Sequence, residues 1–369
     1  MLVGIDASNI KTGGGKVHLT ELINTNVDDN FIILCPVETA HSINNKNVKF
    51  IYSSANTIMS LYQKFIYFQF ILYFSKVDIV LVPGSIYLGF VRPYVSIFQN
   101  MLPFDKQIRG MYKFKISYFR YLLLEILYLY SFKKASGVIF LSEYGQDVIN
   151  NYCKLRNQKI IAHGVSEKFK NFYKRDFDID LSDIRVVYLS PITLYKNHFK
   201  LIKSLASYLK KNPDIIINLD CIGNINDKVI VKKCLDYMNK VPCDNLKLRF
   251  IGNVNHDDLP RVLVDYDFSF FVSSCENLPI TLMEIQTLGL PAIILNKRPN
   301  SDVSSSFMIE NVNNNEVEFA VTKIISSIEF RRKLSQLYLD QSKIYSWKIC
   351  AESTFCFLRE VADEDTTYC

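Results

Sequence analysis

The stretch Phe268–Leu295, FSFFVSSCENLPITLMEIQTLGLPAIIL, predicts one complete β-α-β unit. Its apolar runs at Phe268–Val272 and Ala292–Leu295 have the length and composition of buried strands. The segment Pro279–Leu288 between them predicts a helix with Pro279 in its first turn, where a missing N–H costs nothing. Two such strands joined by a helix are typical of parallel pairing in an α/β sheet.

The same alternation extends over the whole chain and predicts the α/β class. Strands are predicted at Leu2–Asp6, Phe31–Cys35, Asp78–Val82, Tyr94–Phe98, Gly137–Leu141, Lys159–Ala162, Arg185–Leu189, Ile215–Ile222, Leu246–Ile251, Phe268–Val272 and Ala292–Leu295. Helices are predicted at Gly15–Thr25, Thr57–Phe74, Ile108–Ala135, Glu143–Tyr152, His198–Lys211, Lys228–Lys240, Asp257–Val264 and Pro279–Leu288. A chain of 369 residues is too long for one ordinary α/β core, so we expect two Rossmann-like domains.

The predicted domains are residues 1–165 and residues 184–345. The segment Ser166–Asp183 is polar and charged with few aliphatic residues, so it is interpreted as a linker. Residues 346–369 follow the second domain and begin with a helical pattern. Parallel sheets bind ligands at the carboxyl ends of their strands, so two such domains are expected to form a small-molecule cleft between them.

Composition and charge argue against several classes of protein. The nine cysteines stand singly and never in CxxC spacing, so neither a disulfide framework nor a zinc site is indicated. The net charge of +6 is concentrated between Lys106 and Lys134, where seven basic residues accompany the single acid Glu125. A nucleic-acid binder would spread its charge more widely. No secretory leader or membrane-spanning apolar run is recognised, so a cytoplasmic location is expected.

The loop after the strand Phe268–Val272 is the most indicative of chemistry. Glu276 lies in this loop, and Glu284 lies eight residues further along, on the predicted helix. A helix N-terminus attracts phosphate, and a nearby carboxylate can accept hydrogen bonds from ribose or sugar hydroxyls. A solvated helix face would also explain two glutamates at this spacing. The apolar strand before them and the Gly-Leu-Pro turn and further strand after them favour a ligand site.

This segment resembles the E-x7-E motif of the family 4 retaining glycosyltransferases of GT-B fold, also called group 1 glycosyltransferases. The pattern Glu-Asn-Leu-Pro…Glu…Gly-Leu-Pro is similar to the branch that assembles bacterial O-antigen, capsule and exopolysaccharide. The resemblance implies that Glu284 holds the donor ribose and that Glu276 lies beside the transferred sugar. It also implies acceptor binding by residues 1–165, donor binding by residues 184–345, and a C-terminal helix that crosses back to the first domain.

Other strand ends in the second half fit the same family. Lys196, just before a predicted helix, would alone be interpreted as solvated, but the resemblance implies that it binds donor phosphate and acts in catalysis with Glu276. The arginine that relatives commonly have several residues earlier is absent from this chain. The remaining donor-binding candidates are Gly252, Asn253 and Val254 near the base, and Asn277, Leu278 and Pro279 beside Glu276. For Gly252, a tight turn is as good an explanation as a contact with the base.

The first half contributes a glycine-rich loop and two polar strand ends. The loop residues implied to approach donor phosphate or acceptor are Gly13, Gly14 and Gly15. The loop is not a Walker A sequence, because valine stands where that motif needs Ser or Thr. Gln99-Asn100 stands where many relatives have a catalytic histidine, so Asn100 is a candidate sugar or acceptor contact. His163 is a second candidate, and a structural cap explains it equally well.

Two segments, Tyr62–Phe74 and Tyr112–Phe132, are crowded with Tyr and Phe and bordered by Lys and Arg. Core-facing helices and a surface for an anionic membrane explain them equally well. An enzyme with a lipid-linked acceptor would need such a surface, as a peripheral protein on the inner face of the cytoplasmic membrane.

We therefore expect a hexosyl- or other glycosyltransferase that moves a sugar from a nucleotide-sugar donor to a glycan or lipid-linked glycan acceptor in surface polysaccharide biosynthesis. Neither a metal nor another cofactor is expected, because no DxD pair ends a predicted strand and Lys196 with helix N-termini can neutralise the diphosphate. No nucleic-acid partner is expected. A sugar-nucleotide epimerase of the same architecture and a non-catalytic membrane-peripheral GT-B scaffold remain alternatives.

Overall fold

The computed structural model describes residues 1–366 except residues 12, 85, 114, 175 and 305. The chain forms two compact α/β units, called here the first unit and the second unit. The first unit comprises residues 1–164 together with the C-terminal residues from Ser346 onward, and the second comprises Val165–Tyr345.

Each unit is built on a parallel sheet. In the described residues the first sheet contains β1 (Leu2–Asp6), β2 (Asn30–Cys35), β3 (Val48–Tyr52), β4 (Ile79–Val82), β5 (Tyr94–Phe98), β6 (Gly137–Phe140) and β7 (Gln158–Ile160). The second contains β8 (Ile184–Leu189), β9 (Ile217–Ile222), β10 (Leu246–Gly252), β11 (Phe268–Phe271), β12 (Ala292–Leu295) and β13 (Met308–Ile309). The strand orders are β3-β2-β1-β4-β5-β6-β7 and β10-β9-β8-β11-β12-β13. The order reverses between β1 and β4 and between β8 and β11, and ligands of open parallel sheets bind at such switch points.

Helices connect these strands, so the predicted α/β architecture with two parallel sheets is confirmed. They are α1 (Gly14–Thr25), α2 (Val37–Ala40), α3 (Thr57–Tyr62), α4 (Phe68–Phe74), α5 (Lys106–Gly110), α6 (Ile116–Lys134), α7 (Glu143–Asn150), α8 (Glu167–Lys170), α9 (His198–Lys211), α10 (Lys228–Lys240), α11 (Leu259–Leu263), α12 (Ile280–Thr287), α13 (Asn300–Val303), α14 (Asn314–Ser326), α15 (Ile328–Ser342) and α16 (Trp347–Thr366). A π-helical turn, Gln63–Tyr67, joins α3 to α4, and a 3-10 turn, Leu194–Lys196, precedes α9.

The register of the first sheet shows which helices share one of its faces. Gly4 of β1, Val80 of β4 and Tyr94 of β5 are in-register neighbours, so they point to the same face. A Cβ added at Gly4 would lie 2.5 Å from a methyl carbon of Leu72 on α4. The hydroxyl of Tyr94 donates a hydrogen bond to the backbone oxygen of Ser131 on α6. Helices α4 and α6 therefore cover the same face of the sheet.

The C-terminal helix α16 covers the opposite face. Gly137 of β6 is in register with Val95, whose side chain points away from that of its neighbour Tyr94. A Cβ added at Gly137 would lie 2.9 Å from the ring of Phe357 on α16. Arg359 on the same helix donates to the carboxylate of Asp29 at 2.7 Å. The helix thus returns to the first unit, as the family resemblance implies.

The segment 166–183, interpreted from the sequence as a linker, lies within the second unit. Phe169 on α8 is fully buried, and the backbone N–H of Lys174 donates to the oxygen of Leu288 at 2.7 Å. The ammonium of Lys174 lies 3.9 Å from the carboxylate of Asp267. One buried aromatic ring and these polar contacts attach this largely charged segment to the second unit.

Several predicted elements differ from the structure. The predicted helix Ile108–Ala135 is interrupted, because α5 ends at Gly110 and α6 begins at Ile116. The predicted strand Lys159–Ala162 is β7, which ends at Ile160. Strands β3 and β13 and helices α14 and α15 were not predicted. The N-caps Asn313 and Ser327, which accept backbone N–H groups at 3.0 and 3.1 Å, are the sequence signals of α14 and α15.

Candidate functional site

Two loops meet at the switch point of the second sheet. Residues 190–197 follow β8 and residues 272–279 follow β11, and these two strands are neighbours. The N–H of Ser274 donates to the oxygen of Tyr195 at 2.9 Å and ties the loops together. Both loops leave the carboxyl ends of their strands, where an open parallel sheet binds its ligands.

Lys196 and Glu276 form an ion pair across these loops, between Nζ and Oε1. Lys196 is buried, and its ammonium lies 5.6 Å from the ring centre of Tyr195 and 5.7 Å from that of Phe271. Aromatic rings attract a cation, and a charge in such a largely desolvated place acts strongly at short range. The structure therefore brings the two residues predicted as catalytic into direct contact.

Asn197 positions Lys196, although it was not among the predicted site residues. Its backbone is left-handed, with a φ of +59°, at the junction between the 3-10 turn and α9. Its Nδ2 donates to the oxygen of Val272 at 2.8 Å and to Oγ of Ser274 at 2.6 Å. Asn adopts this conformation more readily than most residues. In the sequence, an Asn directly before the first residue of a predicted helix is the signal that indicates such a turn.

Glu284, the predicted ribose ligand, lies on α12 and is buried. Its Oε1 accepts a hydrogen bond from Nε2 of His256 at 2.6 Å. His256 belongs to the loop after β10, its side chain is 32% exposed, and its ring lies 5.4 Å from that of Phe169. The sequence reasoning missed His256, and only its place in a strand-end loop indicates a role. The pair presents a buried carboxylate held by a partly exposed imidazole.

The predicted base-contacting residues lie at the end of β10. Gly252 has a φ of +80°, a conformation that favours glycine, and its oxygen accepts the N–H of Gly223 at 2.7 Å. A Cβ added at Gly223 would lie 2.4 Å from the backbone oxygen of Ser190, so the backbone after β9 packs closely against the loop after β8. Asn253 is exposed and Val254 is half-buried in the loop after β10.

Asn277, Leu278 and Pro279 lead into α12. Asn277 is buried and Leu278 is half-buried. Pro279 has non-helical angles, φ −82° and ψ 85°, and α12 begins at Ile280, one residue later than predicted. The oxygen of Pro279 accepts the N–H of Leu282 at 3.0 Å, so Pro279 is the N-cap and not part of the first turn.

The glycine-rich loop lies at the switch point of the first sheet, where β1 leads into α1. Gly13 is the N-cap with a φ of +73°, and α1 begins at Gly14. Among the described atoms, none lies within 4 Å of a Cβ built at Gly13. The first turn of α1 contains no acid, and glycine has no side chain to cap its N–H groups. This loop can therefore present backbone N–H groups to an anion.

The two amides after β5 are used differently. Gln99 donates from Nε2 to Nδ1 of His18 at 2.7 Å, and its Oε1 lies 3.0 Å from the place of a Cβ at Gly15. Asn100 accepts the N–H of Leu102 at 3.1 Å and hydrogen-bonds the hydroxyl of Tyr128. Asn100 thus stabilises its own loop, and Gln99 contacts the glycine-rich loop instead. The role of Asn100 as a sugar or acceptor contact stays a prediction.

His163 is buried in an aromatic cluster of the first unit. Its ring centre lies 4.5 Å from that of His18 and 5.7 Å from that of Trp347. Burial lowers the pKa of His163 well below its ordinary value and lowers the pKa of His18 to about 4. Both imidazoles are therefore neutral at pH 7. His163 is buried in the first unit, and its role as a sugar or acceptor contact stays a prediction.

Two features are absent from the part of the chain that the structure describes. In that part of the chain, no cluster of three or more His, Cys, Asp or Glu side chains is arranged to hold a metal ion. Nor does any described helix have the length and apolar character needed to cross a membrane.

Solved structures match this fold over nearly its whole length at low sequence identity. Anabaena Alr3699/HepE in complex with UDP and glucose is 14% identical with a TM-score of 0.71, covering 97% of this chain and 99% of that one. Sucrose-phosphate synthase from Thermosynechococcus elongatus is 12% identical with a TM-score of 0.76, covering 98% and 99%. WaaG, a glycosyltransferase involved in lipopolysaccharide biosynthesis, is 13% identical with a TM-score of 0.70, covering 96% and 98%.

Sequence comparison identifies the family of the second unit. No curated protein has a sequence that matches this chain. Residues 169–337 match the model of the family described as glycosyl transferases group 1, and this span contains Lys196, Glu276 and Glu284. The chain is therefore a glycosyltransferase of the GT-B fold class whose residues 169–337 form a group 1 glycosyltransferase domain.

Proposed function

We propose that this glycosyltransferase transfers a sugar, with retention of configuration, from a nucleotide-sugar donor to a glycan or lipid-linked glycan acceptor in surface polysaccharide biosynthesis. The Lys196–Glu276 ion pair at the switch point of the second unit carries the proposal. The HepE structure, which contains UDP and glucose, and WaaG, which is involved in lipopolysaccharide biosynthesis, support the donor class and the pathway class.

Lys196 is the proposed ligand of the donor diphosphate. Its ammonium is paired with the carboxylate of Glu276, and a diphosphate carries more negative charge than this carboxylate and competes for the ammonium. During transfer the bond between the anomeric carbon and the phosphate oxygen breaks, and its electron pair stays on the diphosphate. The acceptor oxygen attacks that carbon from the same face, and its proton passes to the leaving diphosphate. Stabilising the leaving group is then the main catalytic contribution of Lys196.

Glu276 is released from Lys196 when the diphosphate binds, in this proposal. Its carboxylate then accepts hydrogen bonds from hydroxyls of the transferred sugar. Such bonds to a charged acceptor each contribute about 1.5–3 kcal/mol. They orient the sugar relative to the leaving diphosphate, which converts binding energy into rate.

Glu284 and His256 form the proposed ribose site. The buried carboxylate of Glu284 has one oxygen on His256, at 2.6 Å, which holds its orientation. Its remaining acceptor capacity suits the two hydroxyls of a ribose. The base then lies toward the loop after β10, where Gly252 leaves room for a flat ring.

The reaction is proposed to need neither a metal nor another cofactor. Lys196 and the N-terminus of α12 provide positive charge beside the strand ends of the second unit. The glycine-rich loop and Gln99 of the first unit are proposed to contact donor phosphate or acceptor. A lipid-linked acceptor would place the enzyme on the inner face of the cytoplasmic membrane as a peripheral protein.

The test is a thermal-shift panel of nucleoside diphosphates and nucleotide sugars, followed by an assay for acceptor-dependent release of the diphosphate. A ligand at 100 times its Kd should raise the free energy of unfolding by about 2.7 kcal/mol. Lys196→Gln should lose much of the shift, and Lys200→Gln, which removes an exposed charge on α9, should keep it. A panel without any shift, or conversion of a nucleotide sugar without acceptor, would refute the proposal.

A further inference from the structure

Two helical segments of the first unit expose apolar faces. On α3, the π-helical turn and α4, the exposed large apolar side chains are Ile58, Met59, Leu61, Tyr62, Ile66, Tyr67, Phe70, Tyr73 and Phe74. On α6 they are Ile116, Phe119, Leu123, Ile126 and Tyr130. The five on α6 are three or four residues apart and therefore lie on one side of the helix. Because Phe74 is 75% and Ile116 is 87% exposed, these segments are not simply core-facing helices.

The two faces point in the same direction. Helices α4 and α6 cover the same face of the first sheet, so their outer sides are turned to solvent on that side. No helix lies between β4 and β5 in the described part of that connection. Its residue Phe90 is exposed, and its ring centre lies 5.7 Å from that of Phe70 and 6.5 Å from that of Tyr73.

The same connection also links α4 to α6. The hydroxyl of Tyr87 donates to Oε1 of Gln69 on α4 at 2.8 Å. The backbone N–H of Tyr87 donates to Oγ of Ser131 on α6 at 3.0 Å. The connection that carries the exposed Leu88 and Phe90 therefore contacts both α4 and α6.

The charge around these exposed faces is positive. Residues 57–76 contain no acid and two lysines, of which Lys64 is paired with the buried Asp6, and residues 86–93 contain one arginine and no acid. Residues 106–134 contain seven basic residues and one acid, Glu125, which is paired with the buried Arg109. The exposed cations of α6 and its N-cap are Lys115, Arg120, Lys133 and Lys134.

We infer that the outer faces of α3–α4 and α6, together with Leu88 and Phe90, bind an anionic lipid bilayer. Exposed Tyr, Phe and aliphatic side chains enter the boundary between headgroups and acyl chains, and the flanking cations meet anionic headgroups. A symmetric dimer built on this bilayer-binding surface would bring the cations of one copy against those of the other. The proposed function enters this inference only as the reason for bilayer binding, which would bring the enzyme to a lipid-linked acceptor.

The test is co-sedimentation of the full chain with vesicles of phosphatidylcholine, with and without phosphatidylglycerol, and no sugar present. The charge variant combines Lys115→Gln, Arg120→Gln and Lys134→Gln. The apolar variant combines Phe74→Gln, Phe119→Gln and Ile126→Gln. Both matched controls change exposed positions of the second unit. The charge control combines Lys228→Gln, Lys232→Gln and Lys240→Gln. The apolar control combines Val229→Gln, Phe319→Gln and Ile344→Gln.

Wild type should bind the anionic vesicles and bind neutral ones much more weakly. Each surface charge is worth about fivefold in partitioning, so the charge variant should bind roughly a hundredfold more weakly, with less salt dependence. The apolar variant should lose binding at low and high salt alike, and both controls should bind like wild type. Thermal unfolding midpoints establish that each variant is folded.

Three outcomes overturn the inference. They are wild type staying in the supernatant at low salt, controls losing as much binding as the variants, and a lipid-free dimer that the apolar variant abolishes. The last would identify a second copy as the occupant. Donor binding is measured separately by calorimetry, so vesicle binding without any nucleotide affinity would refute the proposed function and leave this inference standing.

Discussion

Lys196 and Glu276 are eighty residues apart in the chain, and their side chains form an ion pair at the switch point of the second sheet. In this pair Glu276 occupies the ammonium of Lys196 that a donor diphosphate would bind, and Lys196 occupies the carboxylate of Glu276 that a donor sugar would bind. A diphosphate must displace the carboxylate from Lys196, and removing either member changes the site in a different way.

Substitution of the two members should therefore affect nucleotide affinity differently. Lys196→Gln should weaken binding of a nucleoside diphosphate by about 1.5–3 kcal/mol, because a charged hydrogen-bond donor is lost. Glu276→Gln should keep or strengthen that binding, because the ammonium loses its competitor, while turnover falls at least roughly tenfold. Titration calorimetry and a steady-state assay measure the two quantities. Equal loss of nucleotide affinity in both variants would show that the roles are wrongly divided.

Glu284→Ala should abolish the distinction between a ribonucleotide and its deoxy analogue. Wild type should prefer a nucleoside diphosphate over the 2′-deoxy form, because the carboxylate accepts a bond from the 2′-hydroxyl. The variant should bind both with the same reduced affinity. His256→Gln keeps a donor near Oε1 and should retain more of the preference than His256→Ala. A preference unchanged in Glu284→Ala would remove the ribose assignment.

The left-handed backbone of Asn197 gives a prediction about stability. Both Asn197→Gly and Asn197→Ala lose the hydrogen bonds to Val272 and Ser274. Alanine must also adopt a φ of +59°, which costs roughly 1–2 kcal/mol, whereas glycine does so freely. Urea unfolding should therefore show the alanine variant to be less stable than the glycine variant by about that amount. Equal stability would mean that the turn relaxes.

Buried His18 gives a prediction about pH. Its pKa is lowered to about 4 in the folded chain, mainly by burial, against an ordinary value of about 6.5. Below pH 6.5 the unfolded chain binds a proton that the folded chain does not, so the free energy of unfolding falls as the pH falls. The loss is about 1.4 kcal/mol per pH unit for this histidine, down to about pH 4.

Urea unfolding between pH 8 and pH 5 measures this contribution. His18→Gln should show a shallower fall in stability below pH 6.5 than wild type. His41→Gln, at an exposed position, should keep the wild-type slope. Parallel slopes for wild type and His18→Gln would contradict the assignment of His18 as a buried neutral group.

The sequence alone determined the class of the fold and the strand ends that carry chemistry. Alternating apolar runs and helical patterns suffice for this, because strands and helices bury side chains with different periods. The loop containing Glu276 was identifiable because an apolar strand precedes it and a proline-led helix follows it. Helices α9 and α10 were predicted to the residue, since their apolar stripes and polar ends are local signals.

Tertiary structure alone decided which of these residues meet and which faces are exposed. Lys196 reaches Glu276 only because the sheet order places β8 beside β11, and His256 reaches Glu284 from the loop after β10, at the edge of the same sheet. The apolar face of α6 has the same helical pattern whether it is buried or exposed. Its exposure follows from the crossover that puts α4 and α6 on one face of the first sheet, with their opposite sides already packed on the strands. Contacts between distant segments depend on strand order and register, which no local pattern encodes.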